Sequence, residues 1–221
     1  MLTRSSFAGS RVAYARPMRS QFLAGAHVVL EALRQPGIAE AWDQPSVLEG
    51  QTVGALCGHL ARGSVWVVAD YLELDEPDSV TFETADQYGA LASSLTEEDH
   101  VNIRKRAAEV ASMGYDALVA KVAERLTALE QRLADEPPDR IVPVFGGMTM
   151  RLDPYLSTRM LEQVVHLDDL ARSVDFPLPE MPRENVAIVL DVGSRIGLHR
   201  FGAATMIRGM FRGLPGAFPV L

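Results

Sequence analysis

Along most of the chain, apolar residues recur every three or four positions, in blocks separated by short polar stretches rich in proline and glycine. That period is helical. Phe22, Ala26, Val29, Leu30 and Leu33 predict a helix over residues 18–33, stopped by Pro36-Gly37. A loop over 35–51 holds Trp42 and Pro45-Ser46, and Thr52 then caps a second helix running to about Leu72. Residues 75–95 have weak periodicity and read mostly as loop. Thr96 with Asp99 resembles a capping box and opens a helical pattern that reaches about Ala134, with a break at Gly114. Its surest part is a stripe of Leu118, Val122, Leu126, Leu129 and Leu133.

Pro137-Pro138 ends that pattern. Residues 141–145 and 148–152 flank Gly146-Gly147 as a β-hairpin on a two-residue turn, with Pro143 confining it to an edge. Asp153 followed by Pro154 reads as an N-cap and first helical position for a helix to about Val174. Phe176-Pro177-Leu178-Pro179 is a linker, residues 185–212 are helical in pattern but interrupted by glycines, and the tail 213–221 reads as extended. Four helices and one short hairpin predict an all-α bundle over 1–175, with a small helical C-terminal extension over 176–221.

Composition narrows the classes. At 221 residues, with 48% hydrophobic and 23% charged, the chain can bury a full core without staples. One cysteine, Cys57, excludes a disulfide framework and a multi-thiolate zinc site. A net charge of −8 argues against a nucleic-acid partner, which needs a basic face. A local basic patch of Arg195, Arg200, Arg208 and Arg212 could equally dock on the acidic bundle. No uncharged stretch approaches the roughly 18 residues of a membrane span. The first 19 residues carry Arg4, Arg11, Arg16 and Arg19 with no acid, but lack the apolar core of a secretory signal. They read as an arm leading into the first helix, and the expected location is cytoplasmic.

No phosphate-cradling loop or nucleophile elbow is present, so the five histidines carry the chemical interest. Glu162 and His166 lie four apart on one helical face and can share a metal ion if another element supplies a third ligand. On a helical wheel Arg159, Glu162, His166, Asp169 and Ser173 share an arc opposite the apolar one, so a solvated surface pair is the competing reading. His59, on the second helix, shares a face with Gly63, Trp66 and Asp70, and Gly63 leaves space beside the imidazole. Cys57, two residues before His59, points elsewhere and reads as a small buried hydrophobe. His27 and Glu31 form a rival pair by spacing, while His100 and His199 carry no strong signal.

The segment Thr52-Val53-Gly54-Ala55-Leu56-Cys57-Gly58-His59-Leu60, preceded by Trp42 and Pro45-Ser46, resembles the first signature of the mycothiol-dependent maleylpyruvate isomerase family. The run Arg159-Met160-Leu161-Glu162-Gln163-Val164-Val165-His166-Leu167-Asp168-Asp169-Leu170 resembles its second, an R-x-x-E-x-x-x-H-x-x-D pattern. The resemblance covers roughly residues 18–175 and implies a DinB-like metal-binding four-helix bundle. It implies a divalent metal, usually zinc, on His59, Glu162 and His166, with mycothiol as cosubstrate in an actinobacterial cytoplasm. A thiolate formed at the metal would attack a small electrophile, in isomerisation or S-transfer. Asp169 is then either an acceptor that orients a ligand or a surface aspartate. Arg159 either binds a substrate carboxylate or pairs with Glu162. The characterised isomerase carries a larger C-terminal domain than the 45 or so residues from Phe176 to Leu221, so the electrophile is left open. Two readings from other classes stand beside this one: a non-catalytic DinB-like binding or regulatory protein, and a zinc-hydroxide hydrolase.

Overall fold

The apolar stripe that begins at Phe22 is the buried side of α1 (Val12–Leu33) in the computed structural model, which describes residues 12–92 and 95–212. The basic arm before residue 12, apart from the start of α1, and the tail 213–221 lie outside the described residues. After the short α2 (Pro36–Glu40), Thr52 caps α3 (Val53–Ala61) as predicted, its hydroxyl accepting the Ala55 N–H at 3.1 Å. The second helix does reach Leu72, but in three parts. A π-helical turn, Arg62–Trp66, separates α3 from α4 (Val67–Leu72).

The stretch 75–95 is less irregular than its periodicity suggests, since it contains α5 (Ala85–Ala92). That helix is short, and Ala85, Tyr88 and Gly89 are too few to mark a stripe. Thr96 and Asp99 form both bonds of a capping box at the start of α6 (Glu97–Ala111). Gly114, at φ +86°, turns the chain into α7 (Tyr115–Asp135). All five members of the predicted α7 stripe are buried.

Strands β1 (Ile141–Pro143) and β2 (Thr149–Arg151) pair antiparallel, Val142 opposite Met150. Their connection is longer than the predicted two-residue turn. It spans residues 144–148, closed by Val144 N–H to the Met148 carbonyl at 2.7 Å, with Gly146 and Gly147 both at positive φ. The next helix, α8 (Leu152–Val174), begins two residues earlier than expected. Asp153 does not cap it. Its carboxylate instead accepts from Arg19 Nε at 3.0 Å, tying α8 to α1.

Four rods form the bundle: α1, the α3–α4 rod, α7 and α8. Phe22, Leu33, Leu56, Leu60, Leu118, Leu126, Leu133 and Leu156 meet in one core. Burying a leucine side chain stabilises by about 1.5–3 kcal/mol, so this layer dominates the fold's stability. α6 lies against α3 because Gly58 permits it, since a Cβ there would stand 2.4 Å from the Ala107 carbonyl oxygen. α9 (Arg183–Arg212) packs on α8 and α5, with Gly202 at φ +75° within it. Among the described residues no helix is long and apolar enough to cross a membrane.

Candidate metal centre

His59 sits in the last turn of α3, and Glu162 and His166 sit one turn apart on α8, the rod packed beside it. The three donor atoms form a nearly equilateral triangle. His59 Nε2 lies 3.2 Å from Glu162 Oε2 and 3.1 Å from His166 Nε2, and His166 Nε2 lies 3.3 Å from Glu162 Oε2. The two imidazoles meet edge to face. A tetrahedral zinc with ligands at roughly 2.0–2.1 Å holds its donors about 3.3 Å apart, so the triangle has the edges such an ion requires. Two imidazoles and one carboxylate are a donor set that zinc accepts while keeping a further position open.

The predicted wheel is correct in its arcs, but the polar arc is not solvated. Glu162, His166 and Asp169 side chains are only 22%, 18% and 14% exposed, whereas Val165 is among the exposed apolar residues. α8 is flanked by α1, α3 and α9, so the side opposite its apolar arc is covered as well.

Asp169 accepts a hydrogen bond from His166 Nδ1 at 2.9 Å. That contact fixes the tautomer and leaves Nε2 to face the other two donors. Burial on its own would lower the His166 pKa. The hydrogen bonds and charges of Asp169 and Glu162 outweigh it and raise the value to about 9. Burial disfavours the Glu162 carboxylate too, yet bonds from His166 and His59 and the charge of Arg159 hold it well below the usual range.

Arg159 is heavily engaged. Its Nη1 donates to the Gly63 carbonyl at 2.8 Å, its Nε donates to Thr158 Oγ1 at 3.0 Å, and its Nη2 stands 3.9 Å from Glu162 Oε1. The guanidinium lies 4.9 Å over the Tyr155 ring. Burial opposes its charge, but Tyr155 and Glu162 more than compensate and raise its pKa.

The π-helical turn shapes the approach to the triangle. A π turn adds one residue to the local helical period and rotates the helix beyond it. Asp70 and Trp66, which a uniform helix would place beneath His59, are carried round to α7. There Asp70 pairs with Arg125 at 3.3 Å, and Lys121 lies over the Trp66 ring. Gly63 stays at the site. A Cβ on it would stand 3.7 Å from Glu162 Oε2 and 3.9 Å from His59 Nε2.

A cavity of about 190 Å³ opens beside the triangle. His59, Gly63, Arg159 and Glu162 line it, with Tyr88 from α5 and Ile196 from α9 on its far walls. Arg62 and Arg106 also reach it. Sequence reasoning missed both arginines. Arg62 follows His59 by one helical turn, a usable signal, but Arg106 sits in an ordinary charged helix that gives none.

The other candidates lie elsewhere. His27 meets Glu130 of α7 at 2.6 Å, and Glu31 pairs with Arg34, so the rival pair is not brought together. His199 reaches Asp86 at 3.3 Å, and His100 is exposed. Cys57 is fully buried, and burial pushes its thiol up to about 12, so it is an inert core residue. Of the C-terminal basic patch, Arg195 pairs with Asp191 within α9.

A family model described as the mycothiol maleylpyruvate isomerase N-terminal domain matches residues 22–171 of the 221. The matched span runs from α1 through Glu162 and His166 on α8. The predominantly helical fold with its small hairpin is consistent with the DinB-like architecture expected of that domain. No curated protein and no solved structure matches the chain.

Proposed function

This chain belongs to the mycothiol maleylpyruvate isomerase N-terminal domain family, whose name implies a mycothiol-related chemistry, and from that premise we propose that it is a metal-dependent enzyme with mycothiol as cosubstrate. The observation that carries the reading is the donor triangle of His59, Glu162 and His166 at 3.1–3.3 Å beside an accessible cavity. In this reading those three residues hold a divalent cation, and zinc suits the donors, although other divalent ions accept the same set. Such an ion would supply the positive charge that lowers the pKa of a bound thiol and makes it a nucleophile at neutral pH.

The chain's own groups do the rest. Asp169 orients His166 through Nδ1. Arg159 holds Glu162 ionised and braces the π turn through the Gly63 carbonyl. Gly63, with no side chain, leaves the approach to the three donors open. Residues 176–221 act as an extension to the 1–175 bundle, with Val192 and Ile196 walling the cavity. The thiolate then attacks a small electrophile, in isomerisation or S-transfer, in a cytoplasm where a low-molecular-weight thiol stays reduced.

The test is calorimetric titration of mycothiol into zinc-loaded and chelator-stripped protein at pH 7, in two buffers of different ionisation enthalpy. Binding to the loaded form alone, with release of a proton, is the expected result. Equal binding to both forms, or S-methyl mycothiol binding as well as the free thiol, would overturn the proposal.

A further inference from the structure

The C-terminal basic patch does not meet the acidic bundle. Arg195 pairs with Asp191 of its own helix at 3.0 Å. Arg200 lies 5.3 Å over the neighbouring Phe201 ring, and Arg212 donates to the Phe211 carbonyl at 3.3 Å. Among the described residues none of Arg200, Arg208 and Arg212 has a carboxylate within ion-pairing distance, and all three are exposed. From Val192 onward the sequence holds these four arginines and no acid, in a chain whose net charge is −8.

The end of α9 is also apolar where it faces water. Gly202 leaves the helical region, at φ +75° and ψ 158°, so residues 203–212 form a helical segment with its own face. Within it Met206, Met210, Ala203, Ile207 and Phe211 follow one another round an arc of about 140° on a wheel of 3.6 residues per turn. Met206, at one edge of that arc, is buried. The rest turns outward: Ile207 is 57% exposed, Met210 62% and Phe211 68%. Arg208 and Arg212 come next on the wheel, beside Phe211.

Scattered apolar residues on a surface are ordinary, but a contiguous group rimmed by polar residues marks an interaction site. The rim here selects the partner. A second copy of this segment would bring arginines and no acid to the contact, and like charges brought together oppose association. A surface that is apolar within and negative at its boundary satisfies both parts of the face. An anionic bilayer has that order: phosphates outside, acyl chains beneath. The acidic remainder of the chain is repelled by the same surface, which leaves the end of α9 as the part that approaches it.

We propose that residues 203–212 are an interfacial helical segment that docks this protein on an anionic lipid surface. Ile207, Met210 and Phe211 enter the boundary between headgroups and acyl chains, and Arg208 and Arg212 meet the lipid phosphates. The docking is reversible, because one short apolar arc with a few cations gives far weaker attachment than a membrane span. It does not depend on the metal centre.

The experiment is flotation of the full chain with vesicles of phosphatidylcholine and phosphatidylglycerol in equal parts, beside vesicles of phosphatidylcholine alone. The anionic vesicles should bind at least about tenfold more tightly, and raising NaCl from about 0.1 M to about 0.5 M should weaken that binding several-fold. Arg208→Gln/Arg212→Gln and, separately, Ile207→Ser/Phe211→Ser should each cost at least about tenfold, with unchanged circular dichroism melts. Arg34→Gln/Lys105→Gln removes two exposed cations from other helices, Arg34 paired with Glu31 and Lys105 with Glu109, and should change binding by less than about twofold. No flotation with anionic vesicles, equal binding to neutral ones, or binding that survives either α9 variant would overturn the proposal. So would poly-glutamate bound as tightly as the anionic vesicles, which would assign the face to an acidic protein. A dimer in sedimentation that Ile207→Ser/Phe211→Ser dissociates, without vesicle binding, would assign it to a second copy. Vesicle binding seen only after residues 214–221 are removed would assign it to that segment.

Discussion

Between pH 6.5 and 9 the metal-free protein should lose stability, and His166 is the reason. An unfolded histidine titrates near 6.5, whereas His166 in the fold titrates at about 9. Below pH 6.5 the proton is held in both states, and the interaction of the imidazolium with Asp169 and Glu162 stabilises the fold in full. As pH rises through 9 the proton leaves and that contribution disappears. Glu162 stays ionised throughout, because its pKa lies well below the usual range. The rise from 6.5 to about 9 corresponds to about 3 kcal/mol. The side chain is only 18% exposed, so solvent screening removes little of it. For a chain of this size that is roughly 6–12 °C in Tm. The assay is chemical denaturation of chelator-treated wild type and His166→Gln at half-unit steps from pH 6 to 9.5. Their stability difference should fall by about 3 kcal/mol across the window. Parallel profiles, differing by less than about 1 kcal/mol over that range, would refute the account of the site's electrostatics. Saturating zinc should reverse the trend, because metal takes Nε2 only without its proton, so zinc stabilisation should grow with pH.

Asp169→Asn keeps an acceptor beside Nδ1 but removes its charge. Zinc affinity, measured by competition with a chromophoric chelator, should drop about 10–100-fold with the fold intact, and a change below threefold would make Asp169 a surface residue. Gly63→Val places branched carbons where a Cβ already stands 3.7 Å from Glu162 Oε2. Mycothiol binding should weaken at least about tenfold while zinc stoichiometry holds. Arg19→Ala removes donors to Asp153 and to the Leu133, Glu136 and Pro137 carbonyls. Urea unfolding should show a loss of about 3–5 kcal/mol.

How much of this molecule is legible in its sequence depends on how local each signal is. The α7 stripe and the capping boundaries at Thr52 and Thr96 are set within one or two helical turns, and the structure matches them. The spacing of Glu162 and His166 places both on one face, but spacing does not say whether that face meets water. The answer comes from packing partners far along the chain: α3 brings His59, and α9 covers α8. The π turn at Arg62–Trp66 is likewise invisible to a uniform 3.6-residue wheel, and it is what removes Asp70 from the site and keeps Gly63 there. α5 escapes because eight residues are too short for a stripe to emerge, although it supplies a cavity wall. Asp153 shows the opposite failure. It has the right residue type at a helix start, but Arg19, 134 positions away, offers it a stronger partner.

The central claim is the metal centre, and elemental analysis of the purified protein beside a His166→Ala variant tests it most directly. The account predicts about one zinc per chain in the wild type and none in the variant, with both folded. A wild type that binds no metal even when zinc is supplied would contradict it, and would leave a bundle whose three donors are held together by hydrogen bonds alone.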